Sequence, residues 1–394
     1  MATVSTTVTG ITSGAGSDTL VITGGALAAT TLTAITGYAA LQIDTNAAHV
    51  VTLPAAIGTA GSTFTLTANS TIGVTVSGAA FITTNIKLNA TTFTGDDTII
   101  GGPADDTLAG GAGRDSMDGG AGAGHDILDG GADNDLMLGG AGNDTLTGGV
   151  GADVLYGNRG ADSLSGGDGN DTRFGGQDSD GLWGGVGNDL LYGHADADSL
   201  DGEGGADTLY GGQGTDALSG GDGNDLLIGE MEADTLSGGD GNDALFGNQS
   251  GDALFGEGGA DTLFGGQGND ALSGGDGDDL LYGNIGDDAL YGGAGNDVLY
   301  GGQNADQLHG DAGNDTLAGG TAGDRFAFAA GEGDDMVTDF SYSDGDRIQI
   351  AAGMTYTTAA AGTGTLISFT GGGTVTLLGV SGATVTADWF VTAS

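Results

Sequence analysis

The stretch GGAGNDTLT, Gly139 to Thr147, decides the architecture: two glycines, a spacer, a third glycine, Asn, Asp, a small residue, Leu and one more outward residue. The same phase runs in both directions from it. An Asp falls at every ninth position from Asp126 to Asp324, 23 in succession. Asp97, Asp106 and Asp115 keep the step upstream of an 11-residue interval with two extra residues (GGAGAGHD, ending at Asp126). Self-similarity at a fixed short period is the mark of a solenoid and outranks local propensity. Glycine at three positions suits a tight turn with positive φ and leaves backbone carbonyls exposed. The three residues after each Asp then form a short strand whose middle side chain, almost always Leu, points opposite to its neighbours.

Two nonapeptides close one coil, and stacking the coils sorts the carboxylates into columns. One column holds Asp126, Asp144, Asp162, Asp180, Asp198, Asp216, Asp234, Asp252, Asp270, Asp288, Asp306 and Asp324. The other holds Asp135, Asp153, Asp171, Asp189, Asp207, Asp225, Asp243, Asp261, Asp279, Asp297 and Asp315, with Asp97, Asp106 and Asp115 ahead of both. Neighbours in a column stand about 4.8 Å apart, the strand spacing. Their repulsion costs about 1 kcal/mol per pair in water and several at lower effective dielectric. The stack therefore calls for counterions. Ca²⁺, which takes 6–8 oxygens at loose geometry, suits carboxylates and turn carbonyls better than octahedral Mg²⁺ or a Zn²⁺ that prefers His and Cys.

Composition agrees with this reading. The chain of 394 residues has 54 acidic side chains against 6 Lys and Arg, a formal charge of −48, with 87 Gly, 2 Pro and no Cys. So much glycine and negative charge borders on the composition of disorder unless a cation organises it. Disulfides and thiol chemistry are excluded, and phosphate-bearing nucleic acid is a poor partner for such a charge. The acids divide the chain into 1–94, with only Asp18 and Asp44, then 95–324, with 45 of the 54, and 325–394 with seven.

On these residues the chain resembles the repeats-in-toxin (RTX) family, defined by the nonapeptide GGxGxDxUx. The resemblance implies an all-β fold, a right-handed parallel β-roll with Ca²⁺ between successive turns. It also implies type I export from a Gram-negative bacterium through an uncleaved C-terminal signal, the chain folding in external calcium. The Asp of each nonapeptide carries over as a ligand. If a site forms wherever successive coils meet, 26 repeats give about 24 Ca²⁺, whose charge would balance −48. Asp133, Asp178, Asp196, Glu232, Ser250, Asn304 and Ala322 depart from the pattern by replacing the third glycine, and Arg173 stands where an inward Leu is expected.

The third strand residue, read on every second repeat, gives Tyr156, Phe174, Tyr192, Tyr210, Ile228, Phe246, Phe264, Tyr282 and Tyr300. The opposite face is mostly polar, with Ser165, Trp183, Asp201, Ser219, Ser237, Phe255, Ser273, Tyr291 and His309. The stripe is either a cross-strand ladder or a contact surface for another copy or the chain's own ends. Residues 202–229 match 256–283 at 24 of 28 positions, so the roll has grown by copying three coils.

Residues 1–94 carry short apolar runs such as Leu41 to Ile43 and Phe64 to Leu66 and read as a β-rich domain, an irregular solenoid or a sandwich, with an assembly or anchoring role. At the other end, residues 325–394 read as a β-rich cap and secretion signal. There Leu366 to Phe369 and Val375 to Val380 form a hairpin, and Asp335, Asp339, Asp344 and Asp346 are further candidate ligands. MATVSTTVTG at the start has no basic n-region or apolar h-region, and no apolar run reaches membrane-spanning length.

Catalytic motifs are missing. His49, His125, His194 and His309 belong to no HExxH, no Ser lies in GxSxG, and no GxxxxGK[ST] occurs. The expectation is a secreted, calcium-binding structural protein of a surface layer, matrix or adhesive that folds and self-assembles on Ca²⁺, not an enzyme. The alternatives are a secreted calcium-dependent enzyme with an unrecognised site and an adhesin that binds cell-surface polysaccharide.

Overall fold

Side chains that alternate inward and outward, broken every ninth position by glycine, leave the chain one way to bury Leu: short strands stacked in parallel. The computed structural model describes residues 95–381 and 385–392, and of 1–94 the backbone of seven strands between Asp18–Thr23 and Asn85–Asn89. Among the described residues the one helical element is a 3₁₀ turn, Ala387–Trp389. The fold is an all-β parallel solenoid, as the repeat predicts. The chain divides into two compact units, 1–199 and 200–394.

In the first unit, Thr145–Val150 pairs in parallel with Ser163–Asp168, placing Leu146 beside Leu164. Val154–Arg159 pairs likewise with Thr172–Gln177. Each step is one coil of two repeats. Where the two extra residues fall, the register steps by 20 instead, with Ile127 beside Thr107. Toward the N-terminus the backbone strands also pair in parallel, Tyr38–Asp44 with Thr63–Asn69 and His49–Thr52 with Val74–Ser77. There Ala40 lies beside Thr65 and His49 beside Val74, a longer step than in the repeats. The pairing there is parallel, as in the repeats. The side chains of residues 1–94, His49 and Lys87 among them, lie outside the described residues.

In the second unit the same one-coil step joins Ala217–Asp222 to Thr235–Asp240 and Leu226–Met231 to Ala244–Gln249. The last coils change pairing. Arg325–Phe328 lies beside Arg347–Ile350 at a step of 22. Gly364–Phe369 and Thr374–Leu377 form the expected hairpin, whose second strand ends at Leu377 instead of Val380. That strand pairs in parallel with Asp334–Val337, and so covers an edge that would otherwise be bare.

One expectation needs correction. The strands are six residues long in most repeats, not three, because the first glycine of the following repeat continues the extended backbone. In Thr145–Val150 burial alternates over the first four residues, so that Leu146 and Gly148 face inward and Thr145 and Thr147 outward. The core of each unit is a stack of such leucines, Leu146 to Leu191 in the first and Leu200 to Leu317 in the second, each at most 2 % exposed. Burying each contributes about 2–3 kcal/mol.

Candidate metal centre

Each repeat aspartate is held between the glycine turn before it and the inward residue, almost always Leu, two positions after it, and all 26, from Asp97 to Asp324, are buried. One carboxylate oxygen is used in the stacking. The N–H of Asp126 donates to Oδ1 of Asp144 at 2.8 Å, that of Asp144 to Oδ1 of Asp162 at 2.7 Å, and that of Asp225 to Oδ1 of Asp243 at 2.8 Å. The columns predicted from the repeat spacing thus exist within each unit, as ladders of backbone amide to carboxylate.

The second oxygen is left over. Oδ2 of Asp144, Asp153, Asp162, Asp225, Asp243 and Asp261, among others, is buried and accepts no hydrogen bond. Each points at the first glycine of its own repeat. A Cβ on Gly148 would overlap Oδ2 of Asp153 and stand 2.6 Å from the carbonyl oxygen of Gly166, and one on Gly238 would overlap Oδ2 of Asp243 and stand 2.8 Å from the carbonyl oxygen of Gly256. A buried carboxylate oxygen and a carbonyl oxygen from the next coil therefore face the same small space. With the carboxylate ionised, neither oxygen carries a proton to share, so the pair repels unless a cation lies between. Among the described residues no three carboxylate or imidazole groups converge on one point. A cation here draws on carbonyls as well as carboxylates, an all-oxygen set of the hardness that Ca²⁺ prefers.

Electrostatics point the same way. Burial pushes the Asp135 and Asp306 carboxyls up to about 8, opposed by an amide hydrogen bond and reinforced by neighbouring carboxylates of the column. Asp126, Asp162, Asp180, Asp234, Asp252 and Asp297 rise to about 7 for the same leading reason. Without a cation the columns resist full ionisation at neutral pH.

The glycines play two parts. Sequence reasoning gave all three a positive φ, but the first glycine is not in that region: it is kept in every repeat from Gly130 to Gly319, and at Gly130, Gly148 and Gly238 the oxygen pair leaves no room for a side chain. The second and third positions do require positive φ, and they tolerate replacement. All seven departures at the third glycine, from Asp133 (φ 75°) to Ala322 (φ 90°), keep the left-handed turn, as do eight replacements at the second, among them Asn158, His194 and Glu230. The departures therefore leave the turn intact.

Sequence reasoning missed the role of one group of residues and the place of another. The Asn before many of the aspartates makes a second ladder on the outer edge of the turn: Oδ1 of Asn143 accepts the N–H of Ala161 at 3.2 Å, and Oδ1 of Asn242 that of Ala260 at 2.8 Å. Asp335 and Asp346, named with Asp339 and Asp344 as further candidate ligands, extend the two carboxylate columns, accepting the N–H groups of Asp315 and Asp324, each at 3.0 Å. Their spacings of 20 and 22 hid that place from a nine-residue search. Asp339 instead caps the N–H groups of Gly319 and Gly320, and Asp344 is exposed.

The outward aromatics stack on one another. Tyr156, Phe174 and Tyr192 lie 4.7 and 5.1 Å apart between ring centroids in the first unit. Phe246, Phe264, Tyr282 and Tyr300 follow at 4.8–4.9 Å in the second, all within 9° of parallel. That is the strand spacing imposed on rings, and each pair contributes about 0.5–1.5 kcal/mol to the sheet. The faces of the inner rings are covered by neighbours, and their edges face outward.

Among solved structures the chain is similar to the extracellular lipase LipA from Serratia marcescens (18% identity, TM-score 0.22), covering 55% of this chain and 40% of the lipase. It is also similar to the AlgE6R3 subunit of the Azotobacter vinelandii mannuronan C5-epimerase (28% identity, TM-score 0.19), covering 37% of this chain and 80% of that subunit. No curated protein matches. The RTX calcium-binding nonapeptide repeat (four copies) matches in nine segments, adjoining or overlapping, that together run from residue 91 to residue 317. With that match over more than half of its length, on top of the one-coil register and the buried carboxylate columns, the chain belongs to the RTX calcium-binding repeat family.

Proposed function

We propose that this protein is an extracellular structural component of a surface layer, matrix or adhesive, exported through a type I system and folded by calcium at its destination. The observation that carries the reading is the column itself: buried Oδ2 atoms without a hydrogen bond, repeated through both units, with a carbonyl from the next coil beside Oδ2 at positions such as Asp153, Asp162, Asp243 and Asp261. The repeat aspartates, with Asp335 and Asp346, act as the carboxylate ligands, and first-glycine carbonyls complete the sets. Calcium bound there links coil to coil, so folding and metal loading are one event. The half-buried aromatic ladders give each unit an apolar strip through which copies associate.

Circular dichroism with and without chelator, followed by light scattering and electron microscopy after calcium addition, tests this. The expected result is coil in chelator, β-structure in calcium, and sheets or fibres that Phe246→Ser with Tyr282→Ser prevents. A calcium-loaded chain that stays monomeric at high concentration by sedimentation rules out the assembly role. A second reading rests on a groove of about 630 Å³ in the second unit, lined by Asn248, Gln267, Asn284, Ile285 and Gln303 beside the ring ladder. Amides in a row suit the hydroxyls of a polysaccharide, and retention on immobilised bacterial glycans would favour an adhesin.

A further inference from the structure

In the first unit one repeat breaks the pattern at its centre. Arg173 occupies the inward position that Leu155 and Leu191 fill on the flanking coils, and its side chain is fully buried. Nη2 donates to Oδ2 of Asp171 at 3.2 Å and to the carbonyl oxygen of Gly184 at 2.9 Å, and lies 3.3 Å from Oδ1 of Asp189. Oδ2 of Asp171 and the Gly184 carbonyl oxygen are the equivalents of the pair that elsewhere face each other bare, while Oδ1 of Asp189 also accepts the N–H of Asp171 at 2.7 Å. At Gly148 and Gly157 the space where a Cβ would stand is bounded by the carboxylate oxygen of the same repeat and the first-glycine carbonyl of the next coil. At Gly166 it is bounded by Oδ2 of Asp171 and by the Arg173 nitrogen itself.

We propose that the Arg173 guanidinium is a resident cation that takes the place of one calcium ion, closing the position between Asp171 and Gly184 to metal. The chemistry favours it over a packing role. A guanidinium carries a delocalised positive charge and donates in a fixed fork. Nε and Nη1 are buried with no acceptor, a desolvation cost that Leu would avoid and that only a charge-for-charge exchange at Nη2 offsets. Calcium needs its oxygens at about 2.3–2.6 Å. With Nη2 already between them, a second cation would meet both steric overlap and repulsion. This coil therefore keeps its carboxylates compensated when calcium is absent, and it is the place where the first unit holds structure longest during calcium withdrawal.

The inference rests on the reading of the columns as calcium sites, and native mass spectrometry of the full chain separates the two. Calcium-saturated wild type and Arg173→Leu are compared for bound ions: the variant is expected to hold one more. Hydrogen exchange in chelator is expected to show residual protection over residues 163–190 in wild type, lost in the variant. Equal ion counts overturn the role of Arg173, whereas a wild type that binds no calcium overturns the reading of the columns instead. Should Arg173→Leu fail to fold, anomalous diffraction from calcium-loaded wild-type crystals decides. An ion bonded to Oδ2 of Asp171 refutes the proposal, and filled equivalents at Asp153 and Asp162 with none at Asp171 support it.

Discussion

Replacing Gly139 with Ala tests the space in front of the Asp144 carboxylate directly. Gly139 does not require positive φ, so alanine suits its backbone and the effect is one of room alone. The new Cβ would stand 2.6 Å from Oδ2 of Asp144, while ordinary contact begins at 3.4 Å. The carboxylate must then retreat by about 0.8 Å, well outside the spread of calcium–oxygen bond lengths of about 0.3 Å. Overpacking of this kind costs about 1–3 kcal/mol, which corresponds to about 5- to 150-fold in the affinity of one site. Spread over many ions that bind together, the same cost barely moves a global folding midpoint, so the assay has to be local. Hydrogen exchange of the calcium-loaded protein should quicken by about that factor over residues 127–165. The repeats of the second unit should stay unchanged, and one ion should be lost at subsaturating calcium. Thr147→Ala, which trims an exposed side chain on the next strand, is the control. Unchanged exchange and a full ion count in Gly139→Ala would refute the claim that Oδ2 and its space form a metal site.

Two further outcomes follow. Raised aspartate pKa values in the folded, calcium-free chain mean that it holds protons which the unfolded chain releases. Calcium-free structure is therefore favoured below about pH 4 and lost as pH rises through 6 to 8, the range reached by Asp115, Asp126 and Asp135. Calcium binding should release protons and tighten over the same range, as pH-stat titration measures; pH-independent binding contradicts the buried columns. Ala322, with φ 90°, carries the left-handed cost that Asn tolerates better. Ala322→Gly should raise the unfolding free energy by about 0.5–1 kcal/mol in urea titration. Asn304→Gly should raise it by less, and a loss on Ala322→Gly would show that the turn is not strained there.

The period, the inward leucines and the columns were legible because each is a same-chain regularity: once Asp recurs at every ninth position, the one-coil register follows from two strands per coil. What was not legible depends on contacts made across coils. The first glycine differs from the second and third only because the carboxylate and carbonyl meet over its Cα, as at Gly148 with Asp153 and Gly166. Arg173 was visible as an exception, but its acceptor, the Gly184 carbonyl oxygen, lies 11 residues further along the chain. Asn143 was visible only as one place in the repeat unit, and it is a hydrogen-bond acceptor for the following coil. Asp335 and Asp346 needed the altered register of the last strands before their place in the columns emerged.

The two ladders run in opposite directions. The buried one sends each aspartate N–H to the carboxylate of the following coil, while the exposed one sends the neighbouring N–H back to the preceding Asn. Water can replace a partner on the exposed edge but not in the interior, so the two termini of a stack are penalised for stopping in different ways. A coil without a successor strands an interior amide; a coil without a predecessor strands an interior carboxylate oxygen. The array therefore has two unlike ends, one short of an acceptor and the other short of a donor. Asp335 and Asp346 supply the acceptors at the first kind of end. Copying three coils into the middle, as residues 202–229 and 256–283 record, lengthens the stack while leaving those acceptors untouched.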